Sequence, residues 1–480
     1  MSIQSASQLS FGFWQGRPVQ IEKIDEHLSS DGGLLAFYQL DAKLRWTASF
    51  ADLIAAPVHQ HKHSYLSIIR QRVFGIIAGY QDQNDHDSLR SDPIFKLIVG
   101  KQPDEDDLAS QPTISRLENS VTAHELLNME EWFVDRFVES LGADTRQITL
   151  DIDTFDDPAH GQQQLTFFHG FYDQRQYLVR VITCAENDMT VLPVLLYGTA
   201  PASLGAATDL KRVIEKLKAR FPDILVHVRA DSGFAVPEMY ETLESLPAVS
   251  YSIGYSMHCA LRKTSENLME TALTAYEKTK QPQREFMVLD QRATRWSVSR
   301  KVVIKCEANA QGTNRRAIVS NRHGVELSPQ GTYDEYADRG ESENRNKELK
   351  CELNTDRLSD HRYMANLFRV MMHVMSANLL VTLRRIVAAP PAALPDPNDL
   401  PPEARSPHMK RQHHNRRRKA DPLGEGHACT WRTHIIKVAV RVIVSSRRVR
   451  LLISQSWPFS HWLAKLGKAL EDFCPPLPSS

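Results

Sequence analysis

Between residues 148 and 253 the hydropathy pattern runs strand, strand, strand, helix, strand, helix, strand, and few topologies accept that order. The first run, Ile148-Thr149-Leu150-Asp151-Ile152-Asp153, alternates apolar with polar residues and ends in acid. Residues 165–172 and 176–184 repeat the β pattern, with links short enough for antiparallel pairing. Residues 191–196 read as a fourth strand or as an extension of the third. An amphipathic helix over 209–221 follows, with Leu210, Val213, Ile214 and Leu217 at helical spacing. Then Ile224-Leu225-Val226-His227-Val228-Arg229-Ala230-Asp231 forms a second strand ending in acid. A helix with Pro237 in its first turn and a strand over 249–253 complete the series.

The flanks have different textures. Residues 1–145 read as mostly helical, with Ser30-Asp31 as a cap before Gly32-Gly33-Leu34-Leu35. Leu66, Ile69, Val73, Ile76 and Ile77 fall on one helical face. Ser110-Gln111-Pro112-Thr113-Ile114-Ser115-Arg116-Leu117 reads as an ordinary capped helix, whose exposed Ser and Arg would also suit phosphate contacts. Residues 258–331 form a β-rich, basic interruption with strands over 284–291, 296–305 and 315–320. Trp296 there reads as a core residue, with base stacking as the alternative. A strongly apolar helix spans 362–387. Residues 389–407 are Pro-rich and read as a linker. Beyond it lie Lys410, Arg411, Arg416, Arg417, Arg418 and Lys419, then a segment over 433–453 that reads equally as helix or strand.

Composition narrows the class. Formal net charge is zero over 480 residues, but basic residues gather in the last quarter. Six scattered cysteines without a C-x-x-C pair read as reduced thiols, not a disulfide frame or a zinc site. The N-terminus lacks a basic flank followed by an apolar core, so no signal peptide is expected. No run of eighteen uninterrupted apolar residues occurs, so no membrane span is expected.

The stretch 336–350, YADRGESENRNKELK, reads as one helix. At about 100° per residue, Tyr336, Arg339, Glu343 and Lys350 share one face within about 60° of arc. Glu341 and Glu348 fall on other faces. The element order of 148–253 is that of a ribonuclease-H-like mixed sheet, in which the first and fourth strands lie side by side. An acid ending each strand would be close in space, and a later helix would bring a third across the sheet edge. Three converging carboxylates repel one another unless cations neutralise them. Oxygen donors with open positions suit Mg²⁺ or Mn²⁺, and two such ions can activate a hydroxyl nucleophile and stabilise the leaving oxygen of a phosphodiester.

These residues resemble the DDE transposases of bacterial insertion sequences, in the branch with a Tyr-x2-Arg-x3-Glu-x6-Lys motif. Tyr336, Arg339, Glu343 and Lys350 meet that spacing without a gap. Ala230-Asp231-Ser232-Gly233-Phe234 looks like the branch's second-acid motif, and Leu150-Asp151-Ile152-Asp153-Thr154 like its first. The resemblance covers roughly residues 30–385 and the tail poorly. It implies an α/β fold: a ribonuclease-H-like core over 146–388 with a β-rich insertion at 258–331. A helical DNA-end-binding region occupies 1–145, and a Pro-rich linker with a basic C-terminal region occupies 389–480. It implies Asp153, Asp231 and Glu343 as catalytic ligands of two Mg²⁺ or Mn²⁺ ions, with Asp151 competing for the first place. Strand alternation puts Asp151 and Asp153 on one face and excludes neither. Asp156 and Asp157 read as a solvated turn. Tyr336, Arg339 and Lys350 would hold DNA phosphates. The implied activity is cleavage at terminal inverted repeats and strand transfer into target DNA, by a dimer in the DNA complex, in the bacterial cytoplasm at the nucleoid, away from any membrane. A nuclease or resolvase without strand transfer, or an inactive DNA-binding relic, are the alternatives.

Overall fold

The computed structural model describes residues 9–13, 16–17, 19–55, 62–170, 172–322, 328–390 and 407–475. Three short strands, β1 (Leu9–Phe11), β2 (Val19–Ile21) and β3 (His27–Ser29), precede a helical region. Its helices are α1 (Leu34–Leu44), α2 (Trp46–Ala51), α3 (Tyr65–Ala78), α4 (His86–Leu89), α5 (Pro93–Ile98), α6 (Gln111–Ser120) and α7 (Ala123–Glu139). In α3 the expected face is buried at Ile69, Val73, Ile76 and Ile77. Ser64 caps this helix by accepting from the Ser67 amide, and Gly79 ends it at φ 93°, a left-handed value that glycine takes without steric cost. A capping box of Thr122 and Glu125 starts α7. Asp31 does not cap α1. Gly33 holds the cap position, and the buried Asp31 carboxylate accepts from Lys437 Nζ (2.7 Å) and the Tyr80 hydroxyl (3.0 Å).

The central run gives β4 (Gln147–Pro158), β5 (Phe167–His169), β6 (Gln174–Cys184), β7 (Thr190–Leu196), α8 (Ala206–Arg220), β8 (Leu225–Ala230), α9 (Pro237–Ser245) and β9 (Val249–Tyr255). The interruption contains α10 (Cys259–Thr264) and α11 (Glu266–Thr279) as well as β10 (Gln283–Gln291), β11 (Arg300–Asn309) and β12 (Gly312–Ser320). All nine strands from β4 to β12 join one mixed sheet of order β10-β11-β12-β9-β8-β4-β6-β5, with β7 also on β6. The pairs β4–β8 and β8–β9 are parallel, while β4–β6, β6–β7 and β9–β12 are antiparallel. The interruption therefore widens the sheet instead of standing apart.

After β12 come α12 (Pro329–Ala337), α13 (Gly340–Lys347), a π-helical turn at Glu348–Glu352 and α14 (Tyr363–Val387). By length and composition α14 is apolar enough to cross a membrane, yet most of it is buried against other elements. Its polar residues are matched inside: Arg369 binds Glu118, His373 faces the Leu353 carbonyl, and Asn378 exchanges bonds with the Thr190 backbone. Buried polar groups with partners are what a core helix tolerates. The chain ends with α15 (Pro407–Ala420), α16 (Ala428–Trp431), a hairpin of β13 (Val440–Ser445) and β14 (Arg448–Ile453), and α17 (Ser460–Asp472). The expected linker at 389–407 lies almost wholly outside the described residues. The basic C-terminal region is not an extended tail, because β13 pairs with β3 and Trp431 is fully buried against Phe37.

Two local expectations fail for identifiable reasons, and a third, the core reading of Trp296, holds. Residues 156 and 157 are not a solvated turn, since β4 runs on to Pro158 opposite β6 and Asp157 is fully buried. Trp296 precedes β11 and packs with Tyr240 and Tyr255, each 5.4 Å away between ring centres, so it is a core residue. The stretch 336–350 is three pieces, not one helix. At residues 338–339 the ladder slips, with the Arg339 amide bonding to the Tyr336 carbonyl three residues back. At its far end the Leu353 amide bonds to the Glu348 carbonyl five residues back.

Candidate active site

The site is built on two parallel strands. Register pairs Asp151 with Arg229 and Ile152 with Ala230, where the β4–β8 ladder stops. One residue further on, Asp153 stands in β4 just past its pairing with β8, and Asp231 follows the last residue of β8. Alternation places Asp151 and Asp153 on one face of β4, and His227, Arg229 and Asp231 on one face of β8. The first rung of this face is a closed ion pair: Asp151 is buried and accepts from Arg229 Nε and Nη2, each at 2.7 Å. All of its strong acceptor geometry is used. The second rung is acidic and more open.

Asp153 Oδ1 accepts from the Thr154 amide (2.8 Å), and Oδ2 accepts from Arg339 Nη1 (3.0 Å) and Asn346 Nδ2 (3.3 Å). The other arm of Arg339 donates to Glu343 Oε1 at 2.6 Å. Asp231 accepts from the Gly233 amide (2.8 Å), opening a short 3₁₀ turn at Ser232–Phe234. Burial pushes the Asp153 carboxyl above the usual range; Arg339 opposes that, while Asp231 and Glu343 add repulsion. Asp153 thus feels both other acids, and one guanidinium bridges it to Glu343. Glu343 keeps 58% of its side chain exposed, so the cluster opens to solvent on the α13 side.

Tyr336 is buried, and its hydroxyl lies over the backbone where β8 and β9 end. A Cβ added to Gly254 would sit 2.7 Å from that hydroxyl and 3.0 Å from the Ser232 nitrogen. Lys350 is not with these acids. It donates to Asp156 Oδ1 at 2.5 Å, and Gln174 donates to Asp156 Oδ2 at 3.0 Å. The structure therefore brings Asp153, Glu343 and Arg339 into direct contact, sets Asp231 and Tyr336 beside them, and seats Lys350 a few residues along β4.

The donor set fits a hard divalent cation. It comprises carboxylates from three separate elements with an amide from Asn346, and no thiol or imidazole. A positive group already stands between two of the acids, in the form of Arg339. Among the described residues a tighter grouping of possible ligands occurs at Glu348, Glu352 and His427. Its central member is engaged otherwise, because Glu348 accepts both arms of Arg384 and the Ala428 amide. That grouping ties the π turn to α14 and α16.

A family model described as Transposase DDE domain group 1 matches residues 11–394. The chain belongs to the Transposase DDE domain group 1 family. Among solved structures, a piggyBac transposase synaptic complex with hairpin DNA is similar at 10% identity, covering 82% of this chain and 81% of that one, with a TM-score of 0.42. No curated protein matches the chain.

Within this DDE transposase chain, sequence reading missed two residues at the acids. Asn346 follows Glu343 by three, and the same face arithmetic puts it at about −80°, beside Arg339, so it was detectable. Tyr172 was not, because its placement depends on the turn after β5. Burial raises its phenol, with Asp156, Asp153 and Asp231 among the charges it feels.

Proposed function

We propose that this DDE transposase cleaves the ends of its mobile element and joins them to target DNA, using Asp153, Asp231 and Glu343 as ligands of two Mg²⁺ or Mn²⁺ ions. The observation that carries the reading is the convergence of three carboxylates from β4, the end of β8 and α13, with Arg339 bridging two of them. Asp153 is favoured over Asp151 as the first acid because Asp151 has both oxygens committed to Arg229 in a buried pair. When bound, the ions supply Lewis acidity to the attacking and leaving oxygens.

The chain's own residues do the rest. Asp153 and Asp231 fix the site to the point where the paired strands β4 and β8 part, and Glu343 closes it from the helix side. Arg339 exchanges its carboxylate partners for DNA phosphate, to which its planar fork donates equally well. Tyr336 sets the floor on which the scissile strand lies. Lys350, held by Asp156, offers a point charge to a phosphate further along. In the first step water attacks the phosphodiester and leaves a 3′ hydroxyl. In the second, that hydroxyl attacks a target phosphodiester and displaces its 3′ oxygen, so no external energy source is required.

The helical region 1–145 would grip the element's inverted repeats. In α6 the exposed Arg116 and half-exposed Thr113 and Ser115 suit phosphate contacts. The basic residues of 407–475, among them the exposed Arg447, Arg448 and Arg450, would hold flanking or target duplex. Joining two ends calls for a dimer on DNA, acting in the bacterial cytoplasm where the chromosome lies. Incubation with Mg²⁺ and a pre-cleaved inverted-repeat end tests the reading. Joining to target DNA is expected, and cleavage without joining would mean a nuclease or resolvase instead. Activity that survives Asp231→Ala and Glu343→Ala would remove the assigned site.

A further inference from the structure

The Asp151–Arg229 pair lies directly behind the acids. Its two partners are buried, and each oxygen of Asp151 is 2.7 Å from a nitrogen of Arg229. The remaining arm of Arg229 leaves the sheet. Its Nη1 donates to the backbone carbonyl of Glu335 at 2.9 Å. That carbonyl is in the last turn of α12, where helical carbonyls lack their usual partners. Its natural partner would be the Arg339 amide, four residues on, but that amide bonds to the Tyr336 carbonyl instead. The slip at residues 338–339 and the Arg229 bond are two sides of one arrangement: the sheet takes up the acceptor that the broken ladder releases.

The Glu335 side chain is held from the same side. Arg322 pairs with its carboxylate, and the buried His227, on the same face of β8, points Nε2 at it from 3.6 Å. Thus β8 and the residues after β12 grip one residue of α12 at both its backbone and its side chain. The next residue is Tyr336, and the residues after the slip are Arg339 and Glu343.

The geometry points to Asp151 and Arg229 as a positioning pair for the transfer reaction. Asp151 fixes the guanidinium, the guanidinium fixes the Glu335 carbonyl, and that bond sets the angle at which α13 delivers Arg339 and Glu343 to Asp153. This rests on the metal-site reading above. It gives the Asp-x-Asp run two distinct jobs: Asp153 faces the reaction, and Asp151 acts only through Arg229. A buried ion pair is a poor choice for stability alone, since well-packed apolar residues of like volume commonly hold a core as well. The third bond, to a helix end, is what an apolar replacement lacks.

That difference is the basis of the test. The double variant Asp151→Leu/Arg229→Met removes both charges together, leaves no unpaired buried charge, and takes the donor away from the Glu335 carbonyl alone. Arg229→Lys keeps a charge for Asp151 but lacks the fork needed to reach Glu335 as well. Each would be compared with wild type for Tm, for Mn²⁺ affinity in the DNA-free protein by electron paramagnetic resonance, and for kcat and KM in joining of a pre-cleaved end. The expected result is Tm near wild type in both, KM for DNA little changed, kcat lower by about tenfold or more, and weaker Mn²⁺ binding, because sub-ångström placement of reacting groups governs such steps. Wild-type kcat and Mn²⁺ affinity in both folded variants would overturn the positioning role. If the double variant fails to fold, Arg229→Lys decides alone. Asp231→Asn run in parallel separates the two ideas: unaltered Mn²⁺ binding in that variant would overturn the metal site itself, whatever the pair does.

Discussion

At the level of single residues, Arg339 is the most informative side chain. It donates to Asp153 and Glu343 at 3.0 and 2.6 Å, using oxygens that a divalent ion would need. Without DNA the guanidinium would therefore compete with a metal at the proposed site. Arg339→Gln is expected to bind Mn²⁺ several-fold more tightly than wild type in the DNA-free protein, by about the strength of one charge-assisted bond at a half-exposed site, while losing DNA cleavage. A titration followed by electron paramagnetic resonance checks this, and weaker binding would contradict it. Asp157 gives a second case. Both its oxygens are buried, and the Leu358 backbone only partly offsets their loss of water. Burial, with Asp356 adding repulsion, pushes its carboxyl well above the usual range. A carboxyl with a raised native pKa contributes its stability below the unfolded-state value near 3.8 and loses it as pH rises. Asp157→Asn should therefore raise Tm at pH 7–8, with the gain shrinking as pH approaches about 4. Alternation made Asp151 and Asp153 visible as candidates, but nothing in the sequence told them apart. The distinction needs Arg229, which lies 78 residues downstream of Asp151 and meets it only through parallel register.

At the level of elements, the motif spacing of 336–350 was legible and its backbone was not. A slip to three-residue bonds at one end and a five-residue turn at the other leave Tyr336, Arg339 and Glu343 close together but carry Lys350 to Asp156. Both irregularities answer to tertiary partners, Arg229 at the first and Arg384 at the second, which a periodicity argument does not contain. The strands were easier to read, because alternation and short links are local properties. β4 still ran five residues past its expected end, since its last residues pair with β6 and their acids are matched or buried across the sheet. Gly254 tests how tightly these elements close. Its replacement by Ala would put a methyl 2.7 Å from the Tyr336 hydroxyl, against the Ser232 backbone. Gly254→Ala is expected to lower joining by about tenfold through displacement of Tyr336 and its helix, measured as kcat on a pre-cleaved end. An unchanged kcat would mean that Tyr336 has no role in seating the strand.

At the level of the whole molecule, α14 and the C-terminal region bind the helical part to the sheet. Lys43 at the end of α1 donates to the carbonyls of Leu470 (2.5 Å) and Phe473 (2.7 Å), closing the last turn of α17. β13 adds to β3, and Trp431 fills the space beside Phe37. Truncation after Pro390 is therefore expected to lower Tm and broaden the unfolding transition, as followed by circular dichroism. A basic tail with no structural duty would leave both unchanged. Acid sensitivity is also a property of the whole fold. Burial lowers His227 and His373 from about 6.5 to about 3, and His86 well below its ordinary value. The unfolded chain takes up these protons first, so stability is full above about pH 6.5 and falls as pH drops toward about 3, by about 1.4 kcal/mol per pH unit for each imidazole. Urea midpoints between pH 7 and 5 should show that slope, with a shallower one in His373→Gln.

The proposed strand transfer needs three carboxylates acting as one divalent-metal site. Its most direct test is covalent joining of a labelled, pre-cleaved inverted-repeat duplex to plasmid DNA, with Mg²⁺ or Mn²⁺, by wild type and by Asp153→Asn, Asp231→Asn and Glu343→Gln singly. Joined product is predicted for wild type only, and only with the metal. Joined product from any one of the three variants at the wild-type level would contradict the assignment.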